Sequence, residues 1–110
     1  MAKKAFEEEI YRKIPLCDLI LFGISSVLDK KEKCSFEDMV KECFSLFPKS
    51  FSFSQFPKWP DSRKFDRQIR FLRKKKLLIG RPETFLSLTK TGQKRVEEIA
   101  KLFRQRRLKI

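Results

Sequence analysis

"FDRQIRFLRKKKLLIG", Phe65 to Gly80, changes its period part-way. Phe65, Ile69 and Leu72 recur at i, i+4 and i+7, the spacing of one buried helix face. The short apolar run that follows ends at Gly80 and reads as a strand. A helix that passes directly into a strand restricts the fold, so the rest of the chain is read outward from it.

Upstream, Pro60, Asp61 and Ser62 open this helix, with Asp61 or Ser62 as its N-cap, and it is expected to reach about Lys76. Downstream, "RPE" reads as a turn and "TFLSLT" as a second strand, which together give a small hairpin. Thr89 or Thr91 then caps a last helix, "TGQKRVEEIAKLFRQRR", with Val96, Ile99, Ala100 and Phe103 facing inward.

The first half is more helical. Residues 1–13 read as a short, frayed helix. Ile14 to about Lys30 is a strongly apolar helix, opened by Pro15 in its first turn. "KKEKCSF" closes it and offers a short strand. Ser35 with Asp38 three residues later forms a capping-box pattern, so a helix is expected from Phe36 to Phe47, stopped by Pro48. "PKSFSFSQFPKWP" has three prolines and four aromatics and reads as extended chain packed over the core. The fold class is α+β, mainly α, in a single domain of 110 residues. Residues 1–13 form an N-terminal extension and 104–110 a basic tail.

Several function classes are set aside by composition. The chain has no histidine, and Ser–His–Asp or Cys–His catalysis needs an imidazole. The acidic residues lie in solvated patterns such as "FEEE" and "VEEI". Three glycines form no phosphate-binding loop. Cys17, Cys34 and Cys43 are an odd number without a CxxC pair, so neither a disulfide framework nor a zinc site is expected. Cys17 and Cys43 read as core residues, and Cys34, between Lys33 and Ser35, is a candidate redox thiol. No cofactor, metal or catalytic residue is expected. The opening segment turns acidic where a leader needs apolar residues, and Ile14–Leu28 is too short and interrupted to span a bilayer. A cytoplasmic location is expected, on the nucleoid if the chain binds DNA.

Charge points to a binder. Residues 1–55 carry nine Lys/Arg and nine Asp/Glu, whereas residues 56–110 carry eighteen and five. The second half therefore holds the whole net charge of +13, an asymmetry that suits a polyanionic partner.

The element order resembles the winged helix-turn-helix superfamily, including MarR-like regulators. Two stretches carry the resemblance. "FDRQIRFLRKKKLLIG" is similar to a recognition helix running into the first wing strand. "FLSLTKTGQKRVEEI" is similar to the second wing strand and the "LT-x-x-G" turn into a terminal helix. The match spans about residues 14–103 and implies a three-helix core, a hairpin wing, a C-terminal helix and DNA binding. Two departures stand out. Lys76 holds a place where glycine is usual, so another C-cap geometry is expected there. The second and third helices are also separated by about a dozen residues instead of a tight turn.

On a helix at 100° per residue, Arg63, Arg67, Arg70 and Lys74 fall within about 60° of one another, opposite Phe65, Ile69 and Leu72. In an inserted recognition helix the N-terminal residues reach base edges. Ser62, Arg63, Arg67 and Gln68 are therefore candidates for base contacts, and Lys64, Arg70 and Lys74 for phosphate contacts. Phe71 flanks the stripe, either packed on the hairpin or free to touch a thymine methyl or a base. Arg81 at the hairpin tip is a candidate for the minor groove or the backbone. Lys90, Lys94, Arg95 and the "RQRR" tail are candidates to extend this surface. The expected partner is double-stranded DNA, with a homodimer through the first or last helix possible. Two alternatives stand beside it: an interaction module built on Phe51, Phe53, Phe56 and Trp59, and an RNA binder.

Overall fold

A computed structural model describes residues 5–52, 55, 61–81 and 83–109, with only the backbone of Ser62 and of 107–109. Among these, the chain forms α1 (Glu8–Tyr11), α2 (Leu16–Leu28), β1 (Cys34–Ser35), α3 (Phe36–Leu46) and α4 (Pro48–Phe51). The second half forms α5 (Ser62–Lys74), β2 (Leu78–Ile79), β3 (Phe85–Leu88) and α6 (Lys90–Lys109). The fold is mainly helical with a small antiparallel sheet in the order β1-β3-β2. The register pairs Cys34 with Leu86 and Leu78 with Leu88. The expected strand before α3 is thus real, and its partner is the second hairpin strand.

α2 is the hub. No residue from Leu16 to Leu28 is exposed, and Leu19, Ile20, Leu21 and Ile24 are fully buried. An apolar helix of this kind buries its whole circumference because every face meets another element. Here those elements are α3, α5, α6 and β3. Asp18, in its first turn, is also buried. It is paired with Arg95 of α6 through Arg95 Nε at 3.1 Å and Nη2 at 2.7 Å.

Several expectations are corrected. Among the described residues of 1–13, only Glu8–Tyr11 is helical, and Phe6 lies ahead of α1 in an aromatic cluster. Its ring stacks on Phe47 at 5.4 Å and meets Phe103 at 5.0 Å. With Ile10, Tyr11 and Ile14 buried as well, this segment is part of the core. Pro15 is the N-cap of α2, with ψ at 145°, so the helix starts two residues late. Pro48 does end α3, but it also opens α4 from the first turn, where its missing N–H is no loss. The Tyr11 hydroxyl accepts the Lys49 N–H at 3.2 Å and steadies that turn. Among the described residues, the start of the expected extended segment, Pro48–Phe51, is helical instead; Phe53, Phe56 and Trp59 lie outside the described residues. The basic tail continues α6 to Lys109, and Arg106 is tied to the Ile10 carbonyl at 2.7 Å.

Capping was legible. The Ser35 hydroxyl accepts the Asp38 N–H at 3.1 Å, and the Asp38 carboxylate accepts the Ser35 N–H at 3.3 Å. Lys31 also reaches Asp38 at 3.1 Å. These bonds hold the Asp38 carboxyl below its ordinary pKa, the Lys31 ammonium first among them. Among the described residues, no helix is long and apolar enough to cross a membrane.

Candidate nucleic-acid interface

α5 starts at Asp61, whose carboxylate accepts the Arg63 N–H at 3.2 Å. That anion offsets the unfavourable placement of Arg63 and Lys64 at the positive end of the helix. The roll of α5 is set by its apolar side. Phe65, Ile69 and Leu72 are buried, and Phe65 stacks on Phe51 at 4.6 Å. The opposite side carries Arg63, Arg67, Arg70 and Lys74, all exposed. Arg67, Arg70 and Lys74 form no ion pair with a described residue; Arg63 Nε reaches Asp61 at 3.5 Å.

Other candidates occupy different situations. The Lys64 ammonium donates to the carbonyls of Ser50 and Ser52, both at 3.1 Å, so it braces the entry to α5 and stands apart from the stripe. Gln68 is half-buried. Of Ser62, only the backbone is described. Phe71 is 45% exposed rather than covered by the hairpin, and the Lys75 ammonium lies 5.7 Å from its ring centre. Arg95 is engaged with Asp18 and Glu98, while Lys90, Lys94 and Arg104 are exposed.

The end of α5 corrects the expectation for Lys76. It takes the left-handed conformation itself, with φ at 60°. Its N–H bonds the Arg73 carbonyl and the Leu77 N–H bonds the Leu72 carbonyl, both at 3.0 Å. This pair of bonds is the usual glycine-type helix stop. It is held from outside, because the Thr89 hydroxyl donates to the Lys76 carbonyl at 2.8 Å. The same hydroxyl oxygen accepts the Gly92 N–H at 3.0 Å and so caps α6. A Cβ on Gly92 would lie 2.1 Å from the Leu77 carbonyl oxygen. "LTKTG" is therefore a clasp that joins the end of α5 to the start of α6.

That clasp sets the hairpin beside α5. Gly80 turns the chain with φ at 105°, and the Thr84 N–H bonds the Arg81 carbonyl at 3.0 Å. Between α5 and this turn lies a groove of about 520 Å³, lined by Asp66, Ile69, Arg70, Arg73, Arg81 and Glu83. Arg73 was absent from the sequence-level candidates. It lies about 80° round the helix from the stripe, on the same flank as Asp66. The folded hairpin brings Arg81 to that flank.

The outward sheet face carries Ile79 and Phe85, both more than half exposed. The Lys33 ammonium sits 4.9 Å from the Phe85 ring centre, a cation–π distance. Among the described residues, no group of three or more His, Cys, Asp or Glu side chains is placed to hold a metal. Cys34 is fully buried, and burial pushes its thiol up to about 11. This removes the redox-thiol expectation, which needed an exposed, acidic thiol.

Comparison of the chain with protein-family models, with curated proteins and with solved structures found no match.

Proposed function

We propose that this chain is a winged-helix protein that binds double-stranded DNA, with α5 as recognition helix and β2–β3 as wing, in a transcriptional regulator or a larger DNA-bound assembly. The observation that carries the reading is the stripe Arg63, Arg67, Arg70 and Lys74. Like charges at i,i+4 oppose helix formation by about 0.2–0.5 kcal/mol per pair, and Arg67, Arg70 and Lys74 have no ion-pair partner among the described residues. Stability gains nothing from this row. A phosphate backbone gives it a use, since each neutralised phosphate releases counterions. The element order and the hairpin beside α5 support the same reading.

Titration of fluorescent duplex DNA at several salt concentrations tests it. Binding should weaken linearly in log K against log salt. No binding at low salt, or a flat plot, rejects the proposal. Parallel titrations with duplex and single-stranded RNA decide which nucleic acid is preferred.

A further inference from the structure

Resting on that reading, we infer that the groove between α5 and the β2–β3 turn is a single-phosphate seat. In it Arg70, Arg73 and Arg81 hold one phosphodiester group, and Asp66 and Glu83 bar its neighbours. The groove is built from two separate elements, and each contributes both signs. α5 supplies Arg70, Arg73 and Asp66, and the turn supplies Arg81 and Glu83. None of these five side chains is buried, and none makes an ion pair with a described residue. The guanidinium donors are thus unspent, and their fork geometry suits a phosphate.

The two carboxylates give the seat its limit. A groove meant only for strong, general attraction would carry cations alone. Carboxylates on both walls repel a phosphate that approaches them closely. A strand can then lie in the groove with one phosphate among the guanidiniums and the next ones outside. The hairpin position that makes this possible is fixed by the Thr89 clasp and not by the ligand. The inference concerns register along the backbone, and leaves base reading to the front of α5.

The test uses the full chain and three variants. R73Q should lower the slope of log K against log salt by about one, the loss of one phosphate contact. R12Q removes an exposed cation beside α1, in the electrically neutral half of the chain, and should leave that slope as in the wild type. E83Q should tighten binding to all duplexes several-fold and narrow the difference between preferred and unrelated sequences. Inorganic phosphate, added without DNA, should shift the Nε–H resonances of Arg70, Arg73 and Arg81 together and leave that of Arg12 in place. Folding of each variant is checked by its amide spectrum.

If wild-type protein binds DNA but folded R73Q keeps the wild-type slope, the seat is wrong and the DNA reading stands. E83Q binding no tighter than wild type also overturns the gating role of the carboxylates. If wild-type protein binds no DNA, the reading fails and the seat fails with it.

Discussion

The Thr89 hydroxyl donates to the Lys76 carbonyl at 2.8 Å while its oxygen caps α6 through the Gly92 N–H. One side chain thereby fixes the stop of α5, the return of the hairpin and the start of α6. Thr89→Val keeps the shape and removes both bonds. It should cost about 1–2 kcal/mol in urea unfolding. Gly92→Ala should cost more, roughly 2 kcal/mol or above, because backbone on both sides is pinned where the new Cβ must go.

Lys76 stands in a left-handed conformation that costs an L-residue roughly 1 kcal/mol. Lys76→Gly should therefore stabilise the fold by up to about 1 kcal/mol, with a melting temperature several degrees higher. Calorimetry reads this directly. An unchanged or lower melting temperature would mean that the Lys76 side chain contributes contacts that offset the strain.

On DNA, the two ends of the stripe should behave differently. Arg67→Ala should lose about 1–3 kcal/mol on a preferred site and much less on unrelated duplexes. Lys74→Ala should weaken all sequences alike and lower the salt slope by about one. Equal behaviour of the two variants would remove the division between reading and gripping.

Asp18 and Arg95 hold α2 to α6 by a two-pronged bond. Arg95→Ala leaves a buried carboxylate without its guanidinium and should cost about 1–2 kcal/mol, less than for a fully buried pair because Arg95 is half-exposed. The double variant Asp18→Ala, Arg95→Ala should be less damaging than the two single effects added, with a coupling of about 1–3 kcal/mol. Guanidinium chloride unfolding of all four proteins completes the cycle.

The thiols give a pH test. Cys34 has a folded pKa raised to about 11 from 9.0 by burial, with Asp38 adding to the rise. A raised folded pKa means the unfolded chain holds fewer protons above pH 9. The stability linked to Cys34 is then fully present below pH 9 and is lost as pH rises toward 11. Native protein at pH 8 should react with a thiol reagent far more slowly than urea-unfolded protein. Cys17, half-buried, should be the first to react.

Much of this architecture can be read from side-chain order. Phe65, Ile69 and Leu72 define the inner face of α5 by spacing alone, and Ser35 is a cap by chemistry and position, whereas the choice of Asp61 over Ser62 and of Thr89 over Thr91 came from the folded chain. What could not be read needed partners far along the chain. Phe6 precedes an acidic run and has no period to place it; its reason to be buried is Phe47 and Phe103. The left-handed Lys76 contradicts local preference because Thr89, thirteen residues on, holds its carbonyl. Arg73 became a candidate only when Arg81 was brought to the same groove. Lys64 read as one more cation of a basic helix until its ammonium was found on Ser50 and Ser52.

That last contact has a consequence for the chain between α4 and α5. The Asp61 N–H bonds the Phe51 carbonyl at 2.7 Å, the Lys64 ammonium holds Ser50 and Ser52, and the Phe51 and Phe65 rings stack. The two ends of residues 52–61 are thus stapled together at the base. The attitude of α5 is set at that staple, so the direction in which its four cations face is decided by contacts made outside the helix itself.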